Sequence, residues 1–152
     1  MKNLYAAGLS CLLALMAFTS YSQVEPPLNQ PATNKPSLFA SLPEKFECST
    51  DQLEKIFSFS PAQKISLKLN SAFSIEGILA EKFERSNHFT TINIKLSNYS
   101  DALFNLSRTE DKSGISYTGR IVSIKHSDAL VLKKENGKYF FLKQQQQFLM
   151  VE

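Results

Sequence analysis

From Gln63 to Leu142 the apolar residues of this chain recur at every second position, in short runs broken by polar turns. That period admits little besides an antiparallel sheet. Ile65, Leu67 and Leu69 alternate with Lys64, Ser66, Lys68 and Asn70, as in a strand with one buried and one wet face. Phe73, Ile75 and Leu79 continue the pattern after a turn at Asn70-Ser71, and Gly77 on the same face marks a bulge or a close backbone approach. Ile92, Ile94 and Leu96 predict a third strand, and apolar runs follow over Leu103–Leu106, Ile115–Ile124 and Ala129–Lys133. Glu135-Asn136-Gly137 then joins Leu130–Lys134 to Tyr139–Leu142, because Asn-Gly supplies the positive φ angles of a type I′ hairpin turn. Both faces of Tyr139-Phe140-Phe141-Leu142 are apolar, which predicts a strand that is central or covered on both sides. After Gln144–Gln147 a last apolar segment, Phe148–Val151, follows.

Ahead of the strands the period is helical. Leu53, Ile56 and Phe57 follow i, i+3, i+4 spacing, Ser49 and Gln52 have the spacing of a capping box, and Asp51 suits the helix dipole. Cys48 and Leu53 occupy the positions of a hydrophobic staple, and Pro61 ends any continuation. The expected fold is therefore α+β or mainly β: one short N-terminal helix followed by a six- to seven-stranded, mostly antiparallel sheet.

The first residues read as an address. Lys2 gives a positive start, Leu4–Phe18 form an apolar run, and Ser20 and Ser22 place small residues just before Gln23. This order predicts a signal peptide over residues 1–22, too short in its apolar part for the ~20 residues that span a bilayer. A lipoprotein signal at Cys11 fits less well, because the apolar run continues past it through Leu12, Leu13, Leu15 and Met16. Residues 23–37, with Pro26, Pro27, Pro31 and Pro36 among polar neighbours, predict a flexible linker, and residues 38–152 a single globular domain. The expected location is the periplasm or the extracellular space, with no transmembrane helix in the mature chain.

Without residues 1–22 the chain carries 16 basic and 14 acidic residues, a net of +2, and Lys133-Lys134 is the only adjacent basic pair. Such scattered charge gives no footprint for nucleic acid. Cys48 is then the only cysteine, so no intramolecular disulfide can form, and a buried apolar role is expected for it rather than a reactive one.

Motifs for chemistry are absent. His126, Ser127 and Asp128 carry the residue types of a hydrolase triad, but sequence neighbours point in different directions while a triad converges from separate elements. A polar turn explains them. His88, His126 and Cys48 have no metal-ligand spacing, Glu81 and Glu84 sit among Lys82 and Arg85, and the isolated glycines form no phosphate loop. Asn98-Tyr99-Ser100 and Asn105-Leu106-Ser107 match the glycosylation pattern at the level of chance, and Asn98–Asp101 reads as a turn. No metal or other cofactor is implied.

Most aromatic residues fall at core positions, but Phe89, Tyr99 and Tyr117 are less well explained and are candidates for a ligand or partner surface. Arg120, opposite in phase to Tyr117 and Ile121, joins them because its planar fork can anchor an anionic group. The expected function is that of a small exported, non-enzymatic binding domain recognising a protein partner or a small ligand, with inhibitors and immunity-type proteins within the class. Two other classes compete. One is a small secreted hydrolase whose acids or His126 converge only in the fold. The other is a structural subunit of an envelope assembly that adds neighbours at strand edges.

Overall fold

The computed structural model describes residues 35–146; the expected signal peptide, most of the linker and Phe148–Val151 lie outside them. The elements are β1 (Lys45–Cys48), α1 (Thr50–Phe57), β2 (Lys64–Lys68), β3 (Ser74–Ser86), β4 (Phe89–Leu96), β5 (Leu103–Asp111), β6 (Gly114–Val122), β7 (Asp128–Glu135) and β8 (Lys138–Gln145). All eight strands pair antiparallel in one curled, half-barrel sheet of order β1-β8-β7-β6-β5-β4-β3-β2. From β2 to β8 each strand pairs with the next in sequence, so the sheet is a run of hairpins; β1 alone crosses back, onto β8.

Two expectations need correction. There are eight strands, not six or seven, and the helix lies between the first strand and the rest instead of ahead of the sheet. The strand missed is β1. Its four residues carry only Phe46 and Cys48 as apolar positions, and their extended state comes from pairing with Tyr139–Leu142.

The two ends of the sheet meet at one corner. Asn70 Nδ2 donates to the Glu47 carbonyl at 2.9 Å, the Ser49 amide reaches the Leu69 carbonyl at 3.5 Å, and the Phe46 and Phe73 rings lie 5.2 Å apart. That contact also explains the start of α1. Ser49 has extended N-cap geometry (φ −68°, ψ 130°), but its hydroxyl makes no capping bond. Its N–H, the group Gln52 would reach in a capping box, is turned to Leu69 instead. Leu53, Ile56 and Phe57 are buried as their spacing requires, and all three join the same core cluster as Cys48.

The concave face is filled by side chains. Phe39, Phe73, Phe104 and Phe141 are each almost or fully buried, and Phe141 meets Phe73 and Phe104 edge-on at 5.6 and 5.9 Å. Edge-to-face pairs of this kind contribute about 0.5–1.5 kcal/mol beyond their buried area. Gly77 is a close approach: a Cβ there would lie 2.2 Å from the Lys95 carbonyl oxygen. At the tight β7–β8 turn Asn136 (φ 49°) and Gly137 (φ 79°) adopt the expected left-handed pair. Tyr139 and Phe141 of β8 face the core, and Lys45 Nζ sits 4.4 Å from the ring centre of outward Phe140.

Residues 35–37, the last of the expected linker, are tied to the domain. Pro36 accepts from the Ser127 amide at 3.1 Å, and Lys35 Nζ donates to the Ile124 carbonyl at 2.9 Å. The carboxylate of Asp128 accepts from the Ser37 hydroxyl and from the amides of Leu38 (2.6 Å) and Phe39 (2.9 Å), which seats Phe39 in the core. Among the described residues no helix is long and apolar enough to cross a membrane.

Candidate functional site

Residues paired across antiparallel strands point to the same side, so the register divides the sheet into rows. One inward row runs Lys82, Ile92, Leu106, Gly119, Leu132, Phe141. The next row toward the β3–β4 turn runs Glu84, Thr90, Arg108, Tyr117. The inner face thus turns from apolar to polar within two residues. A β-bulge between Leu79 and Glu81 makes this possible, because the extra residue brings Lys82 and Glu84 into the inward phase.

Over this polar end lies α1, and the space between is a cleft of about 540 Å³. Asp51, Glu54, Lys55, Phe57 and Ser58 line it from the helix side, and Lys82, Glu84, Thr90 and Arg108 from the strands. The volume falls within the range of small-ligand sites. Lys82 Nζ donates to the Phe57 carbonyl at 3.0 Å, taking one of the free carbonyls at the helix end, and stands 3.5 Å from Glu84. Arg108 lies 3.3 Å from Glu54 through Nε and 3.3 Å from Glu110 through Nη2. Its Nε is shut off from solvent and still has no acceptor in hydrogen-bonding geometry. The Tyr117 hydroxyl donates to Glu54, and the Tyr117 amide donates to the Tyr139 hydroxyl at 3.0 Å. Burial first, then the Glu54 carboxylate, pushes the Tyr117 phenol well above its ordinary value; Arg108 opposes this only in part.

An asymmetry runs through these charges. The Arg108 and Lys82 side chains are 21% and 24% exposed, whereas their partners Glu54, Glu110 and Glu84 are 48%, 45% and 66% exposed. The cations are built into the wall and the acids lean in from water. Ion pairs with exposed partners are worth only about 0–1 kcal/mol, so another anion can replace Glu84 and Glu110 at small cost, whereas Glu54 is also held by the Tyr117 hydroxyl.

The four residues singled out from sequence do not form one surface. Tyr117 is 4% exposed and points inward beneath α1, in phase with Gly119 and Ile121, so it is no part of an outer face. Tyr99 is half-buried, with its ring 5.5 Å from Phe39 and 5.4 Å from Phe73. Phe89 is half-buried beside the β3–β4 turn, with the Arg85 guanidinium 5.9 Å from its ring centre. Arg120 is exposed on the convex face, sharing it with Thr118 and Val122 as expected. The cleft residues Lys82, Glu84, Thr90 and Arg108 were not anticipated. The signal for them lay in phase: Thr90 is two before inward Ile92, and Arg108 two after inward Leu106.

His126, Ser127 and Asp128 spend their bonds separately. His126 Nδ1 pairs with the Ser123 hydroxyl at 2.9 Å, the Ser127 amide holds Pro36, and the Asp128 carboxylate holds Ser37–Phe39. No group of three or more His, Cys, Asp or Glu side chains among the described residues could hold a metal ion. No protein-family model matches the chain, and comparison with curated proteins and with solved structures finds no match either.

Proposed function

We propose that this chain is an exported, non-enzymatic binding domain whose recognition site is the cleft beneath α1, and that it takes an anionic group, such as a carboxylate, of a ligand or protein partner. The carrying observation is the unequal setting of the charges: Arg108 and Lys82 are fixed and largely covered, while Glu84 and Glu110, which face them, are exposed and exchangeable. A guanidinium offers a planar fork of donors suited to a carboxylate, and among the described residues Arg108 spends only Nη2 in a hydrogen bond, on the exposed Glu110. The convergent polar groups in a concavity are what a small-ligand or peptide-end site requires. Export rests on the n-region, apolar run and small-residue site of residues 1–22. The non-enzymatic part of the reading rests on the separate uses of His126, Ser127 and Asp128.

The test is retrieval from envelope extract by the protein and by a Lys82→Gln/Arg108→Gln double variant, with mass spectrometry of both protein and small-molecule fractions. A species held by the first and lost by the second, with circular dichroism unchanged, is the expected result. Retention of the same species by both, or retrieval of nothing by either, overturns the proposal.

A further inference from the structure

We infer that the convex face of β3–β6 is a second binding surface, and that it takes an uncharged polysaccharide strand. Two outward rows cross these strands. One runs Glu81, Asn93, Asn105, Arg120 and the other Phe83, Thr91, Ser107, Thr118. The first row is bonded from Asn105 to Glu81: Asn105 Nδ2 donates to Asn93 Oδ1 at 2.8 Å, and Asn93 Nδ2 donates to Glu81 Oε2 at 3.0 Å. In the second, the hydroxyls of Thr91 and Ser107 lie 2.8 Å apart. Bonds between neighbours hold Glu81, Asn93, Asn105, Thr91 and Ser107 in place before any ligand arrives, and groups already ordered lose less freedom on binding.

The chain of bonds uses part of each group and leaves the rest to solvent. Asn105 keeps its carbonyl oxygen as an acceptor, Glu81 keeps its second oxygen, and Arg120 adds the five N–H donors of a guanidinium. Among the described residues Arg120 has no ion-pair partner. Alcohols both donate and accept, so a surface alternating donors with acceptors suits a ligand made of hydroxyl groups. The opposite charges of Glu81 and Arg120 at the two ends of the row leave no net attraction for a polyanion. Phe83, 51% exposed, is the only large apolar side chain in the two rows. Its ring face carries negative charge density and can take the polarised C–H groups on one face of a pyranose. A protein partner would instead need a continuous desolvated apolar centre; the other exposed apolar side chains of this face, Ile78 and Leu103, stand in the next outward row, separated from Phe83 by the polar row of Glu81, Asn93 and Asn105. At about 4.8 Å between strands, the four strands offer a track of about 14 Å, room for a few linked rings. This track is on the opposite side of the sheet from Arg108, so it stands or falls apart from the cleft.

The experiment is NMR titration of the full ¹⁵N-labelled protein with cellopentaose and with chitopentaose, reading the side-chain amides of Asn93 and Asn105 and the Arg120 Nε–H. Shifts confined to the two rows are expected with at least one sugar, weakened by about tenfold in Phe83→Ala, the scale of one aromatic contact, and unchanged in Arg108→Gln. Absence of shifts with both sugars at millimolar concentration overturns the inference, as do shifts centred on Thr90 and Arg108.

Discussion

Asp128 is a carboxylate 1% exposed to solvent, and replacing it tests whether three hydrogen bonds or simple packing seat the segment that carries Phe39. Burial by itself raises its pKa, but donation from the Ser37 hydroxyl and from the Leu38 and Phe39 amides outweighs this and holds the carboxyl below the usual range. Hydrogen bonds to a charged group contribute about 1.5–3 kcal/mol each, and a buried amide left without an acceptor costs about 1–3 kcal/mol. These contributions are not additive, so Asp128→Ala is expected to destabilise by about 3–5 kcal/mol. Asp128→Asn keeps one acceptor and turns an NH₂ toward a donor, with an expected loss of about 2 kcal/mol. Urea unfolding reads both. Ser37→Ala should cost about 1 kcal/mol in the natural chain and close to nothing in the Asp128→Ala background. The pH dependence has a fixed sign. Because the folded pKa lies below the unfolded value of about 3.9, the unfolded chain takes up the proton first as pH falls. The contribution of Asp128 is therefore complete above about pH 4 and is lost as pH drops through the folded pKa. The Asn variant lacks that part of the acid loss. A cost below about 1 kcal/mol for Asp128→Ala, or full additivity with Ser37→Ala, would show that packing alone holds Phe39 and refute the anchor.

Cys48 is buried, and burial pushes its thiol up to about 12, so the folded protein should resist thiol reagents at neutral pH and react only in denaturant; fast labelling of the native state contradicts this. Gly77→Ala places a Cβ 2.2 Å from the Lys95 carbonyl oxygen and is expected to cost about 3 kcal/mol or more, at or beyond the usual range for overpacking; a change within about 0.5 kcal/mol in urea unfolding would mean that β3 and β4 part freely. Tyr117→Phe removes the donor to Glu54 and should lower stability by about 1–2 kcal/mol, with hydrogen exchange quickened in α1; unchanged exchange there would separate the helix from this contact. Mass analysis of exported material should give a chain beginning at or near Gln23, and recovery of an intact Met1 form alone would remove the export reading.

Most of the sheet was legible because its inward residues are apolar at strict alternation, as in Ile92, Ile94 and Leu96 or in Ile65 and Leu67. Turns with their own chemistry were legible too: Asn70 Oδ1 accepts from the Ala72 and Phe73 amides, both at 2.7 Å, and Asn136-Gly137 closes its hairpin. What failed to show has a common cause. The outer halves of β3 and β5, over Glu81–Ser86 and Ser107–Asp111, lose the apolar alternation because their inward positions are Lys82, Glu84 and Arg108. The residues that line the cleft are the same ones that erased the strand signal. β1 was hidden for another reason, since a four-residue strand between charged neighbours is specified by its distant partner and not by its own pattern. Tyr117 was misplaced because its aromatic ring suggested a surface anchor, while its phase with Ile121 puts it inside.

Because β2 to β8 pair in sequence order, their contacts form between segments that follow one another along the chain. The pairing of β1 with β8 has a different cost in time and entropy. Lys45 must find Leu142, 97 residues further along the chain, and closing a loop of that length costs about 4 kcal/mol in chain entropy. Until then Phe46 and Cys48 travel unpaired. Glu44, Lys45 and Glu47, which flank them, are exposed charges of the kind that keep a waiting strand from pairing with the wrong chain. The slowest and most aggregation-exposed step in making this protein is thus expected to be the docking of its first strand, and its short, charged character is the protection for that interval.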